Sequence, residues 1–156
     1  MATNLLKSLL HNLGVVIVAL ALAYLGRSID TALGIPRFSL PVFAAFGILL
    51  LTLGFLLRLW AAFHFYAHQI RVISLEPQGS LVTTGPFRYS RNPLYLGGNA
   101  FCFFGAALLL GSPAALVFTV LHLPLVDLMI RREEKQLEQR FGDEFRAYKK
   151  EVRRWL

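Results

Sequence analysis

The stretch Leu40-Pro-Val-Phe-Ala-Ala-Phe-Gly-Ile-Leu-Leu-Leu-Thr-Leu-Gly-Phe-Leu-Leu57 carries no charged residue. As a helix it nearly crosses the ~30 Å hydrocarbon core of a bilayer, which takes about 20 apolar residues. Arg58 follows, where a long side chain can snorkel to the interface, and Trp60 supplies an aromatic of the interfacial belt. Residues 40–63 are therefore expected to span a membrane. Working outward, residues 9–26 form an earlier apolar run that ends at Arg27, with His11 and Asn12 suited to an interfacial position near its start. Residues 94–110 and 113–130 form two more, separated only by Gly111 and Ser112 and followed by Pro113 at a helix start. A tight antiparallel hairpin is expected there. The fold expected is an all-α membrane protein in one domain, residues 1–156, with about four transmembrane helices, a loop at 64–93 and a tail at 131–156.

Composition agrees. The 156 residues are 56% hydrophobic, more than a soluble domain needs for its core. The net charge of +7 does not imply nucleic-acid binding, because the basic residues flank apolar runs and form no aromatic-interleaved surface. Anionic lipid is the expected counter-charge. Cys102 lies inside an apolar run and reads as a small buried hydrophobe. The first apolar run, with Ala21 and Ala23, faintly resembles a signal peptide, but the runs that follow favour a retained helix. No cluster of metal-ligand spacing is present.

Lys and Arg near span ends are retained on the cytoplasmic side. Four spans put both termini, the 64–93 loop and the tail on one side, and every Lys and Arg except Arg27 and Arg37 falls there. That side is expected to be cytoplasmic. In the tail, Leu137, Phe141, Phe145, Tyr148 and Val152 recur at helical spacing, the pattern of an amphipathic helix lying against the membrane face.

The loop and the tail also hold the polar chemistry. Gly85-Pro-Phe-Arg-Tyr-Ser-Arg-Asn-Pro-Leu-Tyr95 packs turn formers, arginines and aromatics just before the third span. Asn92 stands where an N-cap would, Pro93 where a helix opens, and the amides of a helix start favour an anionic group such as a carboxylate. Arg131-Arg-Glu-Glu134 lies at the same membrane depth across the hairpin. A membrane-interface turn and a charged helix surface account for these residues as well as a ligand site does.

Taken in order, Gly-Pro-Phe-Arg-Tyr-x-Arg-Asn-Pro-x-Tyr-x-Gly, an apolar hairpin, Glu-Glu-x-x-Leu and Phe-Gly-x-x-Phe-x-x-Tyr resemble the membrane methyltransferases that include isoprenylcysteine carboxyl methyltransferases and phospholipid N-methyltransferases. The resemblance covers about residues 75–156. It implies S-adenosylmethionine as methyl donor, with S-adenosylhomocysteine as product. It places Gly79, Leu81 and Val82 along the cofactor, Phe87 beside it, and Asn92, Pro93, Leu94 and Tyr95 at the helix start, with Glu133 or Glu134 completing the site. The prenylcysteine enzymes have His where this chain has Asn92, and lack its Met129 in favour of an arginine thought to meet the substrate. The first departure tilts the expected acceptor toward a phospholipid headgroup amine, and at the second Arg131 and Arg132 are nearby substitutes at best. A carboxylate or thiol on a prenylcysteine-like or other hydrophobic small molecule is the alternative acceptor, and a noncatalytic lipid-binding module is the alternative class. No catalytic residue is assigned. Asp127 and His122 are the ionisable groups near the fourth span's cytoplasmic half, yet Asp127 stands four residues from Arg131 as in an ion pair, and His122 can serve as a polar contact between helices.

Overall fold

The computed structural model describes residues 2–67 and 80–156. Among them there is no strand, and the chain runs α1 (Ala2–Ala32), α2 (Pro41–Ala67), a 3-10 turn (Gly85–Arg88), α3 (Pro93–Leu109), α4 (Pro113–Phe141) and α5 (Asp143–Glu151). Three helices are long and apolar enough to cross a membrane, and α3 is a shorter apolar helix. Their outward faces carry Ile17, Leu22, Ile48, Leu53, Val120, Leu121 and Leu125, all well exposed. Such a belt is stable only against hydrocarbon. The protein is an all-α integral membrane protein.

Small residues set the helix crossings, because without a hydrophobic drive in lipid the helices hold by close contact. A Cβ on Gly54 of α2 would stand 2.5 Å from the Gly97 carbonyl oxygen of α3, and one on Gly97 would stand 2.7 Å from that of Gly54. Next to this contact, Leu96–Cys102 of α3 winds as a π-helix, a local widening often found at functional positions. Gly54→Leu should therefore overpack the crossing by about 3 kcal/mol and lower the melting temperature in detergent. Gly14→Ala, with nothing within 4 Å of the new Cβ, should leave it unchanged or slightly raised.

The hairpin end is fixed by a buried carboxylate. The Ser112 hydroxyl donates to Asp30 Oδ2 (2.5 Å), the Ala114 N–H donates to Asp30 Oδ1 (3.0 Å), and Ser112 Oγ accepts from the Ala115 N–H (3.1 Å). Asp30 of α1 thus caps the N-terminus of α4, where the helix dipole favours negative charge.

Two expectations need correction. Arg58 does not snorkel: it is 7% exposed and turns inward to Asn12 Oδ1 (3.0 Å), the Leu94 carbonyl (2.6 Å) and His11 Nε2 (3.2 Å). Its partner Asn12 is itself fully buried. A guanidinium shut away from water is costly unless its donors are met, and partners on α1 and α3 meet them. The amphipathic stripe is also present, but its partner is not lipid. Helix α4 continues to Phe141, Gly142 (φ 53°) breaks it, and α5 folds back so that Phe145, Tyr148 and Val152 pack with Leu81, Leu137 and Phe141. The loop closes that apolar face, leaving Phe145 only 1% exposed.

Candidate functional site

Helix α4 has 29 residues and a length of about 44 Å, so its last turns leave the ~30 Å hydrocarbon core. Glu133 and Glu134 lie on that extension, beside the start of α3. Successive helical residues point about 100° apart, and this phase gives the two carboxylates different neighbours.

Glu134 turns inward. Its Oε1 accepts from Arg91 Nη2 (2.8 Å) and Nε (3.1 Å), and its Oε2 accepts from Arg154 Nη2 (2.7 Å). Burial pushes this carboxyl up, but the hydrogen bonds and charges of Arg154 and Arg91 outweigh burial and hold it below the usual range. Arg91 also donates through Nη1 to the Lys149 (3.2 Å) and Val152 (2.6 Å) carbonyls. Its own N–H donates to the Arg153 carbonyl (2.9 Å). The carbonyl of Arg154 accepts from Ser90 Oγ (3.2 Å) and from Asn92 Nδ2 (3.2 Å). One ion cluster thereby clamps the loop, α4 and the C-terminal tail together.

Glu133 turns to Tyr95. Its carboxyl group lies close enough to the Tyr95 phenol for each to perturb the other, and the residue keeps an exposed surface. Burial of the carboxylate raises its pKa, Tyr95 partly offsets this, and the nearby Glu134 charge raises it further. Tyr95 and Glu133 are two candidate residues that the fold brings near one another, and Glu133 stays exposed.

The other candidates are placed as follows. Val82 and Phe87 are buried with Ala61, against Phe65 and Leu94, and the Phe87 ring stacks on Phe65 at 4.9 Å. Tyr148 donates its phenol to the Phe87 carbonyl (2.7 Å), and burial pushes that phenol up, keeping it a donor. Leu81 packs in the separate tail cluster. Pro93 is buried and opens α3 as expected. Asn92 occupies the cap position, but its side chain makes no capping bond; its Nδ2 donates to the Arg154 carbonyl instead. Gly79 lies outside the described residues. His122 bonds Asn99 Oδ1 through Nε2 (2.9 Å) and the Thr119 carbonyl through Nδ1 (2.8 Å), the interhelical contact that its position suggested. Asp127 pairs with Arg131 (2.6 Å) and also with Arg154 (3.1 Å). Arg154 and Arg91 were missed as site-forming residues. Their only sequence signal is a basic tail and a basic loop with one acidic pair between them.

The model of a family described as phospholipid methyltransferase matches residues 42–144, more than half of the chain. An uncharacterised protein of Haemophilus influenzae is 44% identical over 48 residues, which cover 30% of this chain and 76% of that protein. No solved structure matches.

Proposed function

Because the chain belongs to the phospholipid methyltransferase family, we propose that this membrane methyltransferase uses S-adenosylmethionine to methylate a phospholipid headgroup amine. The reaction takes place on the cytoplasmic side, where both termini lie. The observation that carries the reading is the Tyr95–Glu133 pair, accessible at the membrane boundary and held by a rigid ion cluster behind it. An acceptor that diffuses within the leaflet and a donor that arrives from water can both reach this level.

When bound, the donor supplies an electrophilic methyl on a sulfonium. The acceptor nitrogen would take that methyl in a single displacement, its new bond to carbon forming as the carbon–sulfur bond breaks with the electron pair left on sulfur. The amine must arrive deprotonated, and its proton passes to solvent. This chain's residues bind and orient. Glu133 accepts from the donor's ammonium or ribose hydroxyls, Tyr95 bounds the methyl side, and the amides at the start of α3 favour the donor carboxylate. Leu94 and the walls built on Val82 and Phe87 exclude water, with Asn92 and Pro93 fixing the backbone that leads into Leu94. Positioning of this kind accounts for several kcal/mol of barrier. Carboxyl or thiol groups on a hydrophobic small molecule are the second class of acceptor, and Asn92 in place of the histidine of the prenylcysteine enzymes disfavours it.

The test is calorimetric titration with S-adenosylhomocysteine. Micromolar binding by the native chain, lost in Glu133→Ala and Tyr95→Ala, is expected. Absence of binding by well-folded protein, both in detergent and in nanodiscs, would overturn the reading.

A further inference from the structure

Arg58 is a buried cation without an anion. Its partners are an amide oxygen, a carbonyl and an imidazole, and among the described residues no carboxylate pairs with it. Neutral dipoles satisfy hydrogen bonds but leave the charge uncompensated, which in hydrocarbon is expensive. A guanidinium has five N–H donors, more than these contacts use. As Arg58 must donate, His11 Nε2 accepts, and the His11 Nδ1 proton becomes one more donor.

These donors line a cavity of about 450 Å³ that also touches Gly14, Val18, Asn99 and Phe103. It opens toward lipid, between the exposed Leu10 and Val18. Phe103 also walls a second cavity of about 240 Å³, lined mainly by apolar groups such as Ala19, Leu22 and Phe118. The two share Phe103 and are lined by successive turns of α1. Arg58 stands 17 residues into α2 from Pro41, about 26 Å along the helix. That puts it near the loop-side edge of the ~30 Å core, the depth of lipid phosphates and ester groups.

We propose that this groove binds one phospholipid, its phosphate on Arg58 and His11 and one acyl chain along α1 past Phe103. The phosphodiester supplies the single negative charge that Arg58 lacks, and the tail fills the apolar cavity. Arg58 also binds the Leu94 carbonyl, one residue from Tyr95, so a headgroup held here lies beside the Tyr95–Glu133 pair. In that respect the inference rests on the methyl-transfer reading and names how its acceptor is held.

The test uses the full chain in detergent, with native mass spectrometry and thermal shift against phosphatidylethanolamine, phosphatidylglycerol, diacylglycerol and inorganic phosphate. Retention of one phospholipid of either headgroup and a raised melting temperature are expected, with no effect of diacylglycerol or inorganic phosphate. Arg58→Gln should weaken retention at least tenfold. Since Arg58→Gln also loosens α1, Gly14→Leu is the second variant: it fills the groove from a position with nothing within 4 Å of the new Cβ, so it should keep a cooperative melt close to that of the native chain and also lose the lipid. Equal retention of diacylglycerol, an equal shift with inorganic phosphate, or phospholipid binding that survives Gly14→Leu would overturn the proposal. S-adenosylhomocysteine titration of the same samples separates the two readings. Lipid retained without donor-product binding would leave this site standing and remove the methyl-transfer role, and the reverse result would remove only the lipid site.

Discussion

Arg91→Ala should lower stability by about 3 kcal/mol, the lower end for breaking a buried ion pair, because Arg154 still holds the Glu134 carboxylate. The side chains of Arg91 and Glu134 are each only 11% exposed, so water does not replace the lost contacts. The same substitution also frees the Lys149 and Val152 carbonyls, and with them the end of α5. Arg91→Lys should recover little, because one ammonium cannot span two acceptor directions as the planar fork does. Thermal unfolding in detergent checks both variants. Glu134→Gln supplies the pH dependence. The folded carboxyl lies below its unfolded value, so Glu134 contributes stability above the unfolded carboxylate pKa, and that contribution is lost as pH falls through the lower folded value. The gap in melting temperature between native protein and Glu134→Gln should therefore be full at neutral pH and close in acid. A gap that does not change with pH would mean that the carboxylate charge is not what holds the clamp.

The helical spans were legible because hydropathy over some twenty residues is a local property, and so was the Gly111-Ser112-Pro113 turn, whose chemistry sits in three adjacent residues. The Asp127–Arg131 pair was legible from spacing alone, since four residues make one turn. Arg58 was misread because its partners Asn12 and His11 lie 46 and 47 positions away, and at the end of an apolar run an inward and a snorkelling arginine look alike. Arg91 and Arg154 reach Glu134 from 43 and 20 positions away, and no local pattern encodes that convergence. The tail's apolar period correctly gave one buried face. Its cover, Leu81, comes from the loop, which periodicity within the tail cannot name. Glu133 and Glu134 are identical in type and adjacent, so only the phase of α4 against Arg91 and Tyr95 tells a structural carboxylate from an accessible one.

That distinction gives the second large effect. Glu133→Gln should weaken S-adenosylhomocysteine binding by about ten- to a hundredfold, the range of a charged hydrogen bond of roughly 1.5–3 kcal/mol, and Tyr95→Phe should cost less because it removes only a neutral phenol. Stability should move the other way. Burial and the Glu134 charge raise the Glu133 pKa in the folded chain, so ionising this group works against folding. Its favourable balance is full below the unfolded carboxylate pKa and is lost as pH rises through the higher folded value. A permanently neutral isostere avoids that loss, so at neutral pH Glu133→Gln should unfold no earlier than the native protein while binding far more weakly. Binding by the native chain should in turn fade as pH falls through a midpoint above that of an ordinary glutamate, and the Gln variant should lack that midpoint. A residue whose removal spares the fold and abolishes binding is one retained for its ligand. If Glu133→Gln instead lost stability and affinity together, Glu133 would be a second strut of the clamp, and the donor's polar groups would have to be sought elsewhere along the start of α3.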